Sequence, residues 1–381
     1  MNLTTTGGDR AMGKTTRVLA WAAVAAAAGG VAWALRDLPA QLGAVPAGAR
    51  AERMRRSPQY SQGRFRNTVP ADILPPHAMR DAFVELLTGQ QRRKPLGPIP
   101  VTRPDLGGRL GAGELHVTWL GHSTALVEIE GVRVLFDPVW SDRCSPTSFL
   151  GPKRMHAMPL PIGELPRIDA VVISHDHYDH LDLASIRALQ RTQQAPFLVP
   201  LGVGAHLERW GVPADRLIEL DWDEEITVKG VTLTATAARH FSGRRFSRDG
   251  TLWASWVVKG ESRSLFYTGD SGYFDGYKQI GERFGPFDAS LIQVGAYNDA
   301  WPDIHMKPED GASAHLDVRA RVLIPLHWCT FNLALHAWSE PVERLVEEAR
   351  ALDIELVVPR PGDRVNIDAL PALEPWWRAI A

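Results

Sequence analysis

The sequence contains the stretch Ser174-His175-Asp176-His177-Tyr178-Asp179-His180, which directly follows the apolar run Ala170-Val171-Val172-Ile173. A short run of β-prone apolar residues is typical of a buried strand, so the stretch is expected on a loop at a strand end. Its spacing, H-x-H-x-D-H, brings together imidazole and carboxylate groups, which are ligands that Zn²⁺ prefers. The two histidines of H-x-H alternate as strand residues do and point the same way, whereas the Asp-His pair follows a bend. The spacing therefore predicts two neighbouring metal ions.

Three further strand-like runs end in a candidate ligand. Residues 232–238 lead into Arg239-His240, residues 264–267 lead into Thr268-Gly269-Asp270, and residues 321–326 lead into His327. A catalytic pair of metal ions needs about three protein ligands for each ion. Because every candidate follows the C-terminal end of a run, one sheet edge is expected to gather all of them. The seven predicted ligands are His175, His177, Asp179, His180, His240, Asp270 and His327.

Further motifs accompany this signature along the chain. They are Gly121-His122-Ser123-Thr124, Phe136-Asp137-Pro138, Gly151-Pro152-Lys153-Arg154, residues 173–182, Glu219-Leu220-Asp221-Trp222, Trp253-Ala254-Ser255-Trp256, Gly285-Pro286-Phe287-Asp288 and Gly295-Ala296-Tyr297. The signature with the ligand candidates that follow it resembles the metallo-β-lactamase superfamily. The further motifs make the chain similar to the N-acylphosphatidylethanolamine-hydrolysing phospholipases D and their bacterial relatives, and this resemblance covers roughly residues 64–363.

The resemblance implies an α/β fold of the αββα type, a sandwich of two mixed β-sheets with helices on the outer faces. It also implies two zinc ions per chain. By this resemblance, one ion is held by His175, His177 and His240, the other by Asp179, His180 and His327, and both by Asp270. Asp137 is expected to orient the metal-binding loop from outside the ligand set. His305 is expected on a loop over the site, where it binds the phosphate or assists the leaving alkoxide.

The expected activity is zinc-dependent hydrolysis of N-acylphosphatidylethanolamine to N-acylethanolamine and phosphatidic acid. A water shared by two zinc ions is expected to lose its proton near neutral pH, and the resulting hydroxide attacks the phosphodiester. Asp179 and His305 are the candidate catalytic residues, and Tyr178 and His305 are the candidates for substrate contacts. The alternative is a metal-dependent lactonase or another small-molecule hydrolase, since the same hydroxide attacks carbonyls. Trp301 and Trp328 are candidates either for an acyl groove or for core packing.

Composition limits the class of protein, and the N-terminal segment suggests where the protein is located. With 381 residues, 45% of them hydrophobic, the chain can bury a large core, and its formal net charge of −2 argues against a general nucleic-acid binder. Residues 18–35 carry no charge, so residues 1–36 are expected to be a leader: a retained membrane anchor, a cleaved export signal or a soluble tail. The protein is therefore expected at a membrane, on the periplasmic side if it is exported.

Two further segments are expected after the leader. Residues 37–113, rich in Pro, Gly and Arg, should form an arm with one short helix near residues 81–87, and residues 114–381 should form the catalytic domain. The cations of the arm are either solvated or in contact with anionic lipid head groups. The expected partners are thus a phospholipid or small-molecule ester substrate and a membrane surface. A homodimer is left open, and no nucleic acid is expected.

Overall fold

Two seven-stranded mixed β-sheets form the centre of the protein. The computed structural model describes residues 36–73, 78–108, 111–244 and 247–381, together with Trp21. Within these ranges the two sheets share one hydrophobic core, and helices pack on the sandwich from outside. The predicted α/β sandwich of the αββα class is therefore confirmed.

The residues before the sheets form a series of short elements, which we call the arm. They are α1 (Leu38–Gln41), α2 (Gly48–Arg56), the hairpin β1 (Tyr60–Ser61) and β2 (Arg64–Phe65), and α3 (Ala78–Thr88). The short helix predicted near residues 81–87 lies within α3. Arg50 attaches α2 to the body of the protein, because its guanidinium lies 2.7 Å from both Glu208 and Glu219.

The predicted membrane attachment requires a correction. A helix needs about 20 predominantly apolar residues to cross the hydrocarbon core of a bilayer. In the described ranges, no helix combines that length with sufficient apolar character. This finding overturns the expectation that a hydrophobic helix holds the protein at a membrane. The leader on which that expectation rested, residues 1–36, lies outside the described residues except for Trp21 and Arg36.

The first sheet begins as a meander and continues with parallel strands. Its strands are β3 (Leu115–Gly121), β4 (Thr124–Ile129), β5 (Val132–Phe136), β6 (Ala170–Val172), β7 (Phe197–Pro200), β8 (Leu217–Leu220) and β16 (Arg364–Asn366). Their order is β16-β3-β4-β5-β6-β7-β8, antiparallel from β16 to β5 and parallel from β5 to β8. Every residue of β3 and β4 is buried, as expected for strands covered on both faces.

The second sheet repeats this pattern. Its strands are β9 (Glu225–Val228), β10 (Val231–Thr236), β11 (Ser255–Lys259), β12 (Ser264–Tyr267), β13 (Phe287–Gln293), β14 (Ala320–Leu326) and β15 (Glu355–Leu356). They are antiparallel from β9 to β12 and parallel from β12 to β15. Since β10 and β12 flank the antiparallel β11, both end at the same edge as β13 and β14.

The described residues of the catalytic part include the α-helices α4 (Leu183–Thr192), α5 (Gly204–Arg209), α6 (Gly276–Phe284), α7 (Pro308–Asp317) and α8 (Glu340–Ala351). Helix α4 begins where it does because the Asp182 carboxylate accepts hydrogen bonds from the backbone N–H groups of Ala184 and Ser185. It then buries Leu183, Ile186 and Leu189, which share one face at helical spacing. This packing fixes the chain just after the H-x-H-x-D-H motif.

A cluster of tryptophan side chains packs in the core near the end of β14. Trp328 stacks on Trp119 with ring centroids 5.7 Å apart, and Trp376 and Trp377 pack against it at 5.4 and 6.0 Å. Trp328 is only 2% exposed. Of the two roles open for Trp328, core packing is therefore the one observed.

The predicted ligands come from both sheets, and this corrects the expectation of a single sheet edge. The H-x-H-x-D-H loop follows β6 of the first sheet, whereas His240, Asp270 and His327 follow β10, β12 and β14 of the second. The reason is that the sandwich aligns the C-terminal strand edges of its two sheets. The ligands therefore meet across the rim of the sandwich.

Candidate metal centre

The structure brings all seven predicted ligands together. His175, His177 and His240 form one group, and Asp179, His180 and His327 form another with His122. Within each group, the ligand atoms lie within 4.8 Å of one another. We call these seven residues, together with Asp270, the metal cluster.

Asp270 lies between the two groups. Its Oδ2 atom is 3.1 Å from Nε2 of His180 and 3.0 Å from Nε2 of His327. The same oxygen is 3.9 Å from Nε2 of His175 and of His240. One carboxylate is thus within reach of both groups, which is the position of a bridging ligand.

The cluster has the donors that a cation requires. Oδ1 of Asp270 is buried and has no hydrogen-bond partner among the described residues, and the buried Nε2 of His180 has only ion-pair contacts with Asp179 and Asp270, neither of which is a hydrogen bond. A buried polar atom without a partner costs free energy, and native structures rarely leave one unexplained. Imidazole nitrogens and carboxylate oxygens that converge in a buried site therefore fit a divalent metal ion.

The electrostatics of the cluster agree with this interpretation. Burial lowers the pKa of His175 and His240 well below the usual value, so both rings are neutral, as metal ligands must be. Burial would raise the pKa of Asp270, but the neighbouring His180 and His327 lower it well below its usual range. Burial also lowers the pKa of His327, yet Asp270 and Asp179 raise it to about 9. A metal ion that binds His327 therefore displaces a proton.

Asp137 holds the loop that carries the first ligands. It follows β5, and its Oδ1 accepts a hydrogen bond from the backbone N–H of Ser174 at 2.7 Å. Its Oδ2 accepts hydrogen bonds from Oγ of Ser174 at 2.5 Å, Nδ1 of His180 at 2.6 Å and the hydroxyl of Tyr267 at 2.6 Å. Because Nδ1 of His180 is occupied in this way, its Nε2 is directed into the cluster. These contacts agree with the orienting role expected for Asp137.

His122 belongs to the cluster, although it is not among the seven predicted ligands. Its Nε2 lies 2.8 Å from Oδ2 of Asp179, and its side chain is fully buried. Its backbone carbonyl accepts a hydrogen bond from the backbone N–H of His327 at 3.0 Å, which joins the ends of β3 and β14. The available signal was positional: His122 follows β3 at the same sheet edge at which Asp137 follows β5.

A cavity of about 330 Å³ opens above the cluster. Its floor is formed by His177, Asp179, Asp270 and His305. Its walls are mostly apolar and include Ile73 of the arm, Phe241, Trp301, Ile304 and Leu333. Arg248 also lines it and supplies a positive charge. The cavity therefore combines an apolar approach with a polar floor.

The two other predicted site residues lie in different surroundings. Nε2 of His305 is 3.6 Å from Oδ2 of Asp270, and burial lowers the pKa of His305 to about 4 although Asp270 opposes this. His305 thus faces the cavity as a neutral ring. The hydroxyl of Tyr178 instead donates to the backbone carbonyl of Arg244 at 2.9 Å, and Tyr178 is not part of the cavity lining.

Comparison with known proteins places these observations in a family. Residues 132–328 match the family model described as the beta-lactamase superfamily domain. An uncharacterised protein of Mycobacterium tuberculosis is 50% identical over 95% of this chain and 99% of its own length. The N-acyl-phosphatidylethanolamine-hydrolyzing phospholipase D 1 of Caenorhabditis elegans is 41% identical over 61% of this chain and 69% of its own length.

A third relative is described by its reaction class and not by a substrate. A protein of Methanopyrus kandleri described as a metal-dependent hydrolase is 30% identical over 65% of this chain and 98% of its own length. The observed fold, the His and Asp clusters and these relatives agree with one another. The chain therefore belongs to the metallo-β-lactamase superfamily of metal-dependent hydrolases, and it resembles the N-acylphosphatidylethanolamine-hydrolysing phospholipases D.

Proposed function

We propose that this protein is a zinc-dependent phosphodiesterase that hydrolyses N-acylphosphatidylethanolamine to N-acylethanolamine and phosphatidic acid. The observation that carries the proposal is the cavity, which is lined by apolar side chains and has residues of the metal cluster at its base. A lipid phosphodiester needs an apolar approach for its chains and a polar centre for its phosphate. The 41% identity with the phospholipase of Caenorhabditis elegans supports the same substrate class.

The residues would hold two zinc ions. In this proposal His175, His177 and His240 would hold one ion, Asp179, His180 and His327 would hold the other, and Asp270 would contribute to both sites. When bound, the ions supply an acidified water and positive charge against the phosphate oxygens. The pKa of Asp179 lies well below its usual range, because the effect of burial is exceeded by that of His180 and His122. An ionised carboxylate suits metal binding, and through that role Asp179 stays a proposed catalytic residue.

His305 is the residue proposed to contact the phosphate. Its Nδ1 donates to the carbonyl of Gly295 at 3.3 Å, which leaves Nε2 towards Asp270 and the cavity. A phosphate anion placed beside this ring would raise its pKa from about 4, because a negative charge stabilises the imidazolium. The protonated ring can then donate to the departing alkoxide.

Arg248 favours an anionic substrate. It is exposed at the cavity, and its guanidinium carbon lies 5.2 Å from the centre of the Phe241 ring. Within the described part of the chain it forms no ion pair with a carboxylate. An arginine whose charge is not compensated by the protein is suited to a phosphate oxygen.

We expect Arg248→Met to raise KM for N-acylphosphatidylethanolamine about fivefold, equal to about 1 kcal/mol, because one charge-assisted contact is lost. The metal content should not change, since within the described residues Arg248 is held by its contact with the Phe241 ring and makes no hydrogen bond to the cluster. Arg283→Met is the matched control, because Arg283 is also an exposed arginine stacked on a phenylalanine, at 4.8 Å from the Phe284 ring. Equal KM values for the two variants would contradict the role of Arg248.

The proposed activity is tested by product analysis. Purified protein with zinc is incubated with N-acylphosphatidylethanolamine in detergent micelles, and phosphatidic acid and N-acylethanolamine are measured by mass spectrometry. We expect both products in equal amounts, and none after exhaustive chelation. A soluble lactone is offered in parallel. If the lactone is opened rapidly while the lipid stays intact, the phospholipase proposal is wrong and the lactonase alternative replaces it.

A further inference from the structure

Residues 175–181 form the loop that carries four of the proposed ligands. One buried arginine, Arg244, forms hydrogen bonds with the backbone of this loop. We call these residues the metal loop. Nη1 of Arg244 donates to the backbone carbonyl of Asp176 at 2.9 Å and to that of Leu181 at 2.7 Å. One nitrogen atom therefore fixes the distance between two points on either side of His177, Asp179 and His180.

The plane of the guanidinium is fixed as well. Its central carbon lies 4.1 Å from the centre of the Tyr178 ring and 4.8 Å from the centre of the Trp210 ring. Tyr178 belongs to the metal loop, and its hydroxyl donates to the backbone carbonyl of Arg244 at 2.9 Å. Arg244 is only 3% exposed. The predicted substrate residue Tyr178 thus makes two contacts with this arginine.

The opposite edge of the guanidinium is occupied by the arm. Nε of Arg244 donates to the backbone carbonyl of Gln41 at 2.6 Å, and Nη2 donates to the side-chain Oε1 of Gln41 at 3.2 Å. A second connection runs through His206, which accepts a hydrogen bond from the backbone N–H of Ala44 at 2.9 Å and lies 3.3 Å from Oδ2 of Asp176. The arm therefore reaches the metal loop at two places.

Neutral carbonyl oxygens, rather than carboxylates, accept the hydrogen bonds of Arg244, while the nearby carboxylates Asp176, Asp182 and Asp179 favour its charge from a greater distance. No carboxylate lies within ion-pair distance of it in the described ranges, and burial lowers its pKa. A buried charge that depends on a few carbonyl groups is sensitive to the loss of any one of them. Lysine cannot replace it, because an ammonium group lacks the planar fork that binds several carbonyls and stacks on aromatic rings.

We propose that Arg244 is the positioning residue of the metal loop and that the arm completes its binding site. The arm then belongs to the hydrolase unit, because the geometry of the ligands His177, Asp179 and His180 depends on contacts made by Gln41. This inference rests on the proposed metal centre but is independent of the proposed substrate.

The test uses the full chain loaded with Co²⁺ in place of zinc. Two quantities are measured: the visible spectrum of the bound Co²⁺ and the rate at which excess chelator removes it. Arg216→Met is the matched control. Arg216 donates to the backbone carbonyls of Gln190 and Ala195 and stacks on Phe197 at 5.3 Å, but it does not contact the metal loop.

We expect Arg244→Met to change the spectrum and to release Co²⁺ about tenfold faster, a loss typical of outer partners of metal ligands. Arg244→Lys should behave like Arg244→Met, and Gln41→Ala should accelerate release about threefold, because it removes one hydrogen bond. Arg216→Met should match the unmodified protein in both measurements even if it lowers the melting temperature.

Three results would overturn the inference. They are an unchanged spectrum and release rate in Arg244→Met, equal acceleration in the Arg216 and Arg244 variants, and no effect of Gln41→Ala. If Arg244→Met does not fold, Gln41→Ala alone decides, since it leaves the arginine in place. If the unmodified protein takes up no Co²⁺, the proposed metal centre is wrong and this inference is overturned with it.

Discussion

Asp270→Asn is expected to lower the rate of hydrolysis about a thousandfold, equal to about 4 kcal/mol of the barrier, and to remove most of the bound metal. The reason is that Oδ2 of Asp270 lies 3.0 to 3.9 Å from the Nε2 atoms of four histidines of the metal cluster and 3.6 Å from Nε2 of His305. An amide in this place has no negative charge to offer to a cation. Metal content and activity should be measured on the same samples, and His177→Ala should give the same combined loss.

Asp288→Asn is the control for this variant. Asp288 is a carboxylate of the same sheet, at the start of β13 and thus at the opposite edge, where it pairs with Arg263 at 3.0 Å. Its replacement should leave both the metal content and the activity intact. Normal metal content in the Asp270 variant would show that this carboxylate is not a ligand.

Asp137→Asn is expected to weaken metal binding by one to two orders of magnitude, within the range of about 10- to 100-fold for outer partners of ligands. Its carboxylate accepts four hydrogen bonds, from Ser174 N–H, Ser174 Oγ, His180 Nδ1 and Tyr267 OH. The side-chain amide of asparagine has only one acceptor oxygen. Its NH₂ group would face some of these four donors, and those hydrogen bonds would be lost. Competition with a chelator measures the metal affinity, and urea unfolding measures the accompanying loss of stability.

Asp169→Asn provides the comparison. Asp169 directly precedes β6, at the end remote from the metal loop, and its carboxylate accepts hydrogen bonds from the backbone N–H of Arg133 and from Lys229. We expect this change to affect stability without affecting metal affinity. If the two variants bind metal equally well, Asp137 does not orient the ligands.

The strands and the positions of the candidate ligands at their ends could be predicted because they are encoded locally. The H-x-H-x-D-H motif places four candidate ligands within six positions, and the candidates His240, Asp270 and His327 each follow a recognisable strand. Strand runs and glycine-marked turns are short-range patterns, so these elements could be read from neighbouring residues. The resemblance to a known family then supplied the sandwich and the order of the ligands.

The features that the sequence did not predict depend on contacts between distant parts of the chain. His122 and Asp179 are 57 positions apart, and Gln41 and Arg244 are 203 positions apart. No local periodicity reports such pairs. The same limit explains why the ligands were wrongly expected at the edge of one sheet. The packing of two sheets against each other is a tertiary property that local sequence patterns do not report. Tyr178 lies within the motif, and only packing directs its side chain towards Arg244 and away from the cavity.

Titration of the metal-free protein with zinc tests the proposed dizinc phosphodiesterase most directly. The hydrolysis of N-acylphosphatidylethanolamine is followed as zinc is added, and bound zinc is measured in parallel. Because Oδ2 of Asp270 lies within 3.9 Å of histidines from both groups of candidate ligands, we predict that activity rises until about two zinc ions are bound per chain and then stays constant. Full lipid hydrolysis by the chelated protein, or a plateau at one zinc ion per chain, would contradict it.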